Sequence, residues 1–205
     1  MYIPRAFRED DSSKLHTFMR EYNFATFITL HDGVPFATHL PFLLDAERGP
    51  NGTLLAHMAR ANPQWQVFKS SQEVLVIFQG PHAYISPSWY EVELSVPTWN
   101  YAVVHAYGLP RLIEDGEELY KLLKTLIQTH EANFEKPWPS QLPDDYRQIM
   151  MRGIVGFEIQ ITRLEGKFKL SQNRTATERD NVIAALQESS DTLSRDVAEL
   201  MKRMD

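Results

Sequence analysis

The stretch Phe24-Ala-Thr-Phe-Ile-Thr-Leu-His-Asp-Gly-Val-Pro-Phe-Ala-Thr-His-Leu-Pro-Phe-Leu43 decides the fold class. Its opening run, Phe24 to Leu30, is rich in β-branched and aromatic residues, which suit a pleated, half-buried surface. Asp32-Gly33 follows, a pair that tolerates the positive φ angles of a two-residue hairpin turn. A second extended run leads from Val34 to Leu43. Strands also fit 53–58, 73–79 and 81–86, with a short helix from Pro63 to Ser70 between the first two. In Trp99–Gly108 one face carries Trp99, Tyr101, Val103, His105 and Tyr107, and the other Asn100, Ala102, Val104, Ala106 and Gly108. A strand with one small face packs closely on that side, against another sheet, a second subunit or a flat ligand. Val155, Phe157, Ile159 and Ile161 alternate as a last strand.

Helical spacing appears in three places. Leu15, Phe18, Met19 and Tyr22 follow Ser12 and Ser13 as capping candidates, and Leu119, Leu122, Leu123, Leu126 and Ile127 form the stripe of a charged helix. Beyond the Pro-rich link Pro137–Pro143, the tail from about Thr177 is helical, with Leu193, Val197, Leu200, Met201 and Met204 on one face. Many strands with few βαβ alternations predict a mainly β fold with peripheral helices (α+β), a β-barrel and not a doubly wound sheet. The expected division is a barrel domain over 1–175 and a helical extension over 176–205.

Composition narrows the function classes. The 205 residues suffice for one sizeable core, and no apolar run approaches membrane-spanning length. Zero cysteines exclude disulfides, thiolate metal sites and thiol catalysis. No signal-peptide pattern stands at Met1-Tyr-Ile-Pro-Arg5, so a cytoplasmic location is expected. A net charge of −6 argues against a dedicated nucleic-acid surface. The seven histidines form no His-x-His pair and no His-Glu-x-x-His run, and there is no Gly-x-Ser-x-Gly elbow, Walker loop or Gly-x-Gly-x-x-Gly fingerprint. No catalytic residue and no metal ligand is assigned.

The chemistry concentrates in Thr38-His39-Leu40-Pro41 and in His57-Met-Ala-Arg-Ala-Asn-Pro63. The second segment ends an apolar run and opens a helix: Asn62 is a good N-cap, and Pro63 at the first helical position sacrifices no hydrogen bond. A helix N-terminus carries free N–H groups and a partial positive charge, and Arg60 adds a full one. Ala59 and Ala61 let a ligand approach the backbone. The pattern predicts an anionic, phosphorylated cofactor. Each element also has a plainer reading: Arg60 as a surface arginine, His39 as a satisfied polar residue, Trp99 as core.

Five motifs in order resemble the PaiB family of FMN-binding proteins, relatives of the split-barrel pyridoxamine phosphate oxidases. They are Thr38-His-Leu-Pro41, His57-Met-Ala-Arg-Ala-Asn-Pro-Gln-Trp65, Gly80-Pro-His-Ala-Tyr-Ile-Ser-Pro-Ser-Trp-Tyr90, Pro97-Thr-Trp-Asn-Tyr101 and Lys169-Leu-Ser-Gln-Asn-Arg174. The resemblance runs from Met1 to about Leu186; the segment after about Ser189 matches no family motif.

It implies an FMN-binding split barrel, a homodimer, and FMN near the subunit interface. On its terms Arg60 is the leading phosphate anchor, with His57 and Asn62 in the same turn. Thr38, His39, Leu40 and Pro41 run along the isoalloxazine edge, and Trp99 and Asn100 approach from the partner subunit. Lys169, Gln172 and Asn173 are further cofactor candidates, whereas Tyr84–Tyr90 is structural. The family label of negative transcriptional regulator implies a regulatory protein or DNA partner, and the acidic charge favours a protein contact. Alternatives are a flavin oxidoreductase without regulatory role, or a haem-binding protein using His39, His57, His82 or His105 as axial ligand.

Overall fold

A computed structural model of the chain describes residues 1–70, 72–139 and 142–203; Met204 and part of the Pro-rich link lie outside them. The strands are β1 (Arg8–Glu9), β2 (Phe24–His31), β3 (Val34–Pro41), β4 (Leu43–Asp45), β5 (Thr53–Ala59), β6 (Val74–Ile85), β7 (Thr98–Ile113) and β8 (Ile154–Lys169). The helices are α1 (Ser12–Glu21), α2 (Gly116–Glu131), α3 (Asp144–Arg152), α4 (Ala176–Gln187) and α5 (Thr192–Lys202). The strands form one sheet in the order β3-β2-β6-β7-β8-β5-β4, with β1 paired to β8.

The predicted hairpin is present. Asp32 (φ 50°) and Gly33 (φ 78°) make the turn, and β2 and β3 pair from His31↔Val34 to Phe24↔Pro41. Positive φ at both turn residues gives a type I′ turn, whose twist matches that of the strands.

By contacts the chain divides into two compact units. One comprises Met19–Ile77 with Ala106–Leu164, the other Met1–Phe18 with Phe78–His105 and Glu165–Asp205. The first is built on an aromatic cluster: the Phe27 and Phe157 rings stack at 5.4 Å, and Phe68 lies 5.9 and 5.2 Å from them. The small face of β7 is used here for close strand packing. A Cβ on Gly108 would lie 2.4 Å from the Gln160 carbonyl oxygen, so only glycine fits. On another face, α2 sets Leu119, Leu122 and Leu126 on Ile113, with Leu43, Leu55 and Ile154 packed around them.

The second unit packs Phe18 on Phe168 at 5.0 Å. The Phe18 ring lies over Gly80, where a Cβ would come within 2.8 Å of it. Leu170, Val182, Leu186, Val197 and Met201 complete its core.

Two expectations need correction, and the structure refines others. The α1 cap is Asp11, whose carboxylate accepts from Ser13 N (2.8 Å), and not Ser12 or Ser13. The strands expected at 73–79 and 81–86 are one strand, β6, with Gly80 and Pro81 inside it. The short helix expected at Pro63–Ser70 is present with those bounds, as a 3₁₀ helix. The segment after the Pro-rich link forms α3, which the sequence pattern did not signal, and β8 runs on to Lys169. The tail is helical as expected, in two helices. A capping box of Thr175 and Glu178 opens the first, and the Asp191 side chain, accepting from Ser194 N, opens the second.

Candidate functional site

The turn after β5 holds the first group of predicted residues, all within the unit that includes Met19–Ile77. Pairing β5 with β8 sets His57 opposite Gly156 and Ala59 opposite Ile154. The chain then turns: Arg60 N donates to Gly153 O (2.9 Å), Asn62 N to Ala59 O (2.9 Å), and the Trp65 indole to Arg60 O (3.0 Å). Asn62 caps the 3₁₀ helix, its Oδ1 accepting from Gln64 N at 3.0 Å. Its Nδ2 donates to Thr38 Oγ1 at 3.0 Å, which ties the two predicted motifs together.

Arg60 is exposed, yet fixed. Its Nε and Nη2 donate to the carbonyls of Arg152 and Ile154, both at 2.8 Å. Carbonyls orient a guanidinium without cancelling its charge, and no carboxylate pairs with Arg60 among the described residues. Of its five N–H donors, three remain for a ligand. The result is a pre-oriented cation on a short turn.

Thr38–Pro41 does not present one face. Thr38 and Leu40 pair with the buried Phe27 and Ala25 and share their face; His39 and Pro41 pair with Thr26 and the exposed Phe24 and point the other way. β3 also stands at one end of the strand order. The two-residue turn makes His31 and Val34 a hydrogen-bonded rung, so the alternation directs the N–H and C=O of Ala37 and His39 away from β2. A free backbone edge therefore runs beside the Thr38–Asn62 contact.

His57, half-buried on β5, is held below the ordinary histidine pKa by burial, which disfavours its charged form. Gln64 is buried; its Nε2 donates to Phe27 O (3.2 Å) and Phe36 O (3.1 Å) and braces the hairpin against the turn. Gln64 was not among the predicted residues, because a buried glutamine in a Pro-Gln-Trp run looks like helix surface.

The second group lies in the other unit. Lys169, at the end of β8, donates to Trp99 O (2.7 Å) and to Thr98 Oγ1. Its pKa is lowered by burial and then by Lys167. Asn100 is buried, its amide donating to Ser171 Oγ (3.0 Å) and to Met201 Sδ (3.4 Å). Gln172 folds back on its own strand, accepting from Leu170 N (2.8 Å) and donating to Phe168 O (2.5 Å). Lys169, Asn100 and Asn173 line one small cavity of about 160 Å³. Trp99 is half exposed, with His82 and Tyr84 rings at 5.8 and 6.0 Å. Tyr90 is buried as expected, under the Arg174 guanidinium at 4.0 Å.

An antiparallel sheet of this order with peripheral helices is that of the split-barrel flavin-binding proteins. The flavocytochrome Anf3 from Azotobacter vinelandii shares the fold with a TM-score of 0.64 at 16% identity, over 85% of this chain and 73% of that one. The chain belongs to the family described as "Putative FMN-binding domain", whose model matches residues 1–163, and FMN is the family's cofactor. It is 39% identical to the protease synthase and sporulation protein PAI 2 of Bacillus subtilis, over 98% of this chain and 97% of that one. It is 34% identical to an uncharacterised protein of Emericella nidulans, over 81% of this chain and 80% of the other. The PaiB-type resemblance read from the five motifs therefore holds. No helix among the described residues is long and apolar enough to cross a membrane.

Proposed function

We propose that the FMN phosphate sits at the turn Arg60–Asn62, and that the protein is a flavin-dependent or flavin-sensing negative transcriptional regulator. The observation that carries the first part is Arg60 itself, a cation pinned by two carbonyls and paired to no carboxylate among the described residues. Thr38, His39, Leu40 and Pro41 supply the edge along which the ring system lies, and His57 and Asn62 line the same turn. Trp99, Asn100, Lys169, Gln172 and Asn173 are the residues for the opposite side of the cofactor, contributed by a second copy in a homodimer. An exposed Phe24 and Leu30 on the hairpin, and a Leu94 that is 89% exposed, support such a pairing.

Bound FMN supplies electron or hydride transfer; the protein supplies binding and orientation. The regulatory role rests on the PaiB-type resemblance and on the sporulation protein's name. The charge of −6 favours a protein partner over direct DNA contact. A cytoplasmic location agrees with the absence of cysteine.

The test is a fluorescence titration of dialysed protein with FMN, followed by light scattering and by promoter-DNA retention at two salt concentrations. Saturable quenching supports the flavin site, and a mass of twice the chain supports the dimer. A visible spectrum dominated by a Soret band, with no flavin uptake, would move the assignment to haem.

A further inference from the structure

One cavity has none of the Arg60 turn's residues in its lining. It encloses about 640 Å³, within the range of small-molecule sites, and belongs wholly to the unit of Met19–Ile77 and Ala106–Leu164. Its floor is apolar, formed by Leu43, Leu55, Ile113 and Leu122 where α2 lies against the sheet. Its rim is charged, and cations outnumber carboxylates four to three.

The four cations divide into two pairs. Arg48 and Arg111 clamp Glu158, with Nη2 to carboxylate distances of 2.5 and 2.9 Å. Burial pushes the Glu158 carboxyl up, but the hydrogen bonds and charge of the two arginines outweigh it and hold it below the ordinary range. With Asp45, whose carboxylate lies 4.0 Å from Arg48 Nε, that cluster is internally neutralised and fixes one wall. Arg20 and Lys121, by contrast, have no side-chain hydrogen bond or ion pair among the described residues, and both are exposed at the rim.

We propose that this cavity is a second ligand site, for a small organic monoanion with an apolar body. The floor takes the body, and Arg20 and Lys121 take the charged group. The excess of a single positive charge suits a monoanion better than a polyanion, because Glu118 on the rim repels further negative charge. The site also shares strands with the flavin turn: Leu55 pairs with Glu158, and two residues on His57 pairs with Gly156. A ligand here presses on the strands that carry the proposed cofactor turn.

Anilinonaphthalene sulfonate, an aromatic monoanion, is the probe, titrated into the full chain with and without saturating FMN. One saturable site per chain is expected in both conditions, displaced by octanoate and not by octylammonium. Arg20→Ala and Lys121→Ala should each weaken the probe about tenfold, as loss of one charge-assisted contact does. Thr125→Trp, from the cavity wall, should abolish binding, and all three variants should bind FMN as the parent does. Equal displacement by octylammonium, or unchanged affinity in both cation variants, would overturn the site. Displacement by FMN, with loss of FMN binding in the same variants, would make the cavity the flavin site and remove the Arg60 assignment instead.

Discussion

Two turns at strand ends use nearly the same residues to opposite effect. After β5 come Arg60 and Asn62; after β8 come Asn173 and Arg174. Arg60 is held by two backbone carbonyls and keeps its charge available. Arg174 donates to Ser95 Oγ (2.9 Å), pairs with Glu178 (3.2 Å) and covers Tyr90. Its charge is spent within the fold. The position of the carboxylate separates the two: Glu178 is drawn next to Arg174 because it also closes the α4 capping box, whereas the 3₁₀ helix after Asn62 has no acidic residue in its first turn.

The sharpest way to break this contrast is Arg60→Ala. On the proposed function it removes a charge-assisted phosphate contact worth about 1.5–3 kcal/mol, so FMN affinity should fall by roughly ten- to a hundredfold with little change in melting temperature. Arg60→Lys should restore only part of the loss, because an ammonium cannot hold both carbonyls in a planar fork. An unchanged FMN dissociation constant for a folded Arg60→Ala protein would place the phosphate elsewhere.

Asn62→Ala comes next. It deletes the cap on Gln64 N and the bond to Thr38 Oγ1. Stability should drop by about 1–2 kcal/mol in urea unfolding. FMN affinity should fall less than in Arg60→Ala, because orientation is lost and charge is kept. A larger FMN loss than that of Arg60→Ala would make Asn62, and not Arg60, the principal anchor.

The control from the other turn is Arg174→Ala. An i,i+4 ion pair and a cation–π contact together contribute about 1 kcal/mol, so the melting temperature should fall a few degrees. FMN affinity should stay at the parent value. A tenfold loss of FMN would show that both turns face the cofactor and would erase the distinction drawn here.

What was legible in the sequence follows from the range of the physics involved. The hairpin was legible because Asp32-Gly33 encodes its turn locally, and the β7 small face because alternation is local too. The fusion of 73–79 and 81–86 into β6 was not: Gly80-Pro81 reads as punctuation, and only the Phe18 ring seated over Gly80 explains the glycine. The Arg60 turn was recognisable as a cap, yet the partners that pin Arg60 come from Arg152 and Ile154, more than ninety positions away. Gln172 was legible only as a polar residue after the last strand; that its amide closes on Leu170 N and Phe168 O was not. The 640 Å³ cavity was invisible, since its cations come from α1, α2, β7 and the loop after β4.

The smallest effect concerns pH and again separates the two turns. His57 has a folded-state pKa below its unfolded value of about 6.5, because burial penalises the imidazolium. As pH falls through that range the unfolded chain takes up a proton before the folded one does, so stability declines with acid. The stabilising contribution is complete above the unfolded pKa and is lost on the way down to the folded one. Lys169 has its pKa lowered by burial and by Lys167, and Glu158 and Glu178 are held below the ordinary carboxylate range. Around the unfolded histidine value, then, the Arg60 turn has the histidine of β5 beside it, and the Arg174 turn, residues 169–178, holds no histidine. As pH falls through that value, urea midpoints should fall for the parent and fall less for His57→Gln, with a difference smaller than the cost of Arg174→Ala. Parallel slopes for the two proteins would place the acid sensitivity in another histidine and leave His57 a neutral spacer on β5.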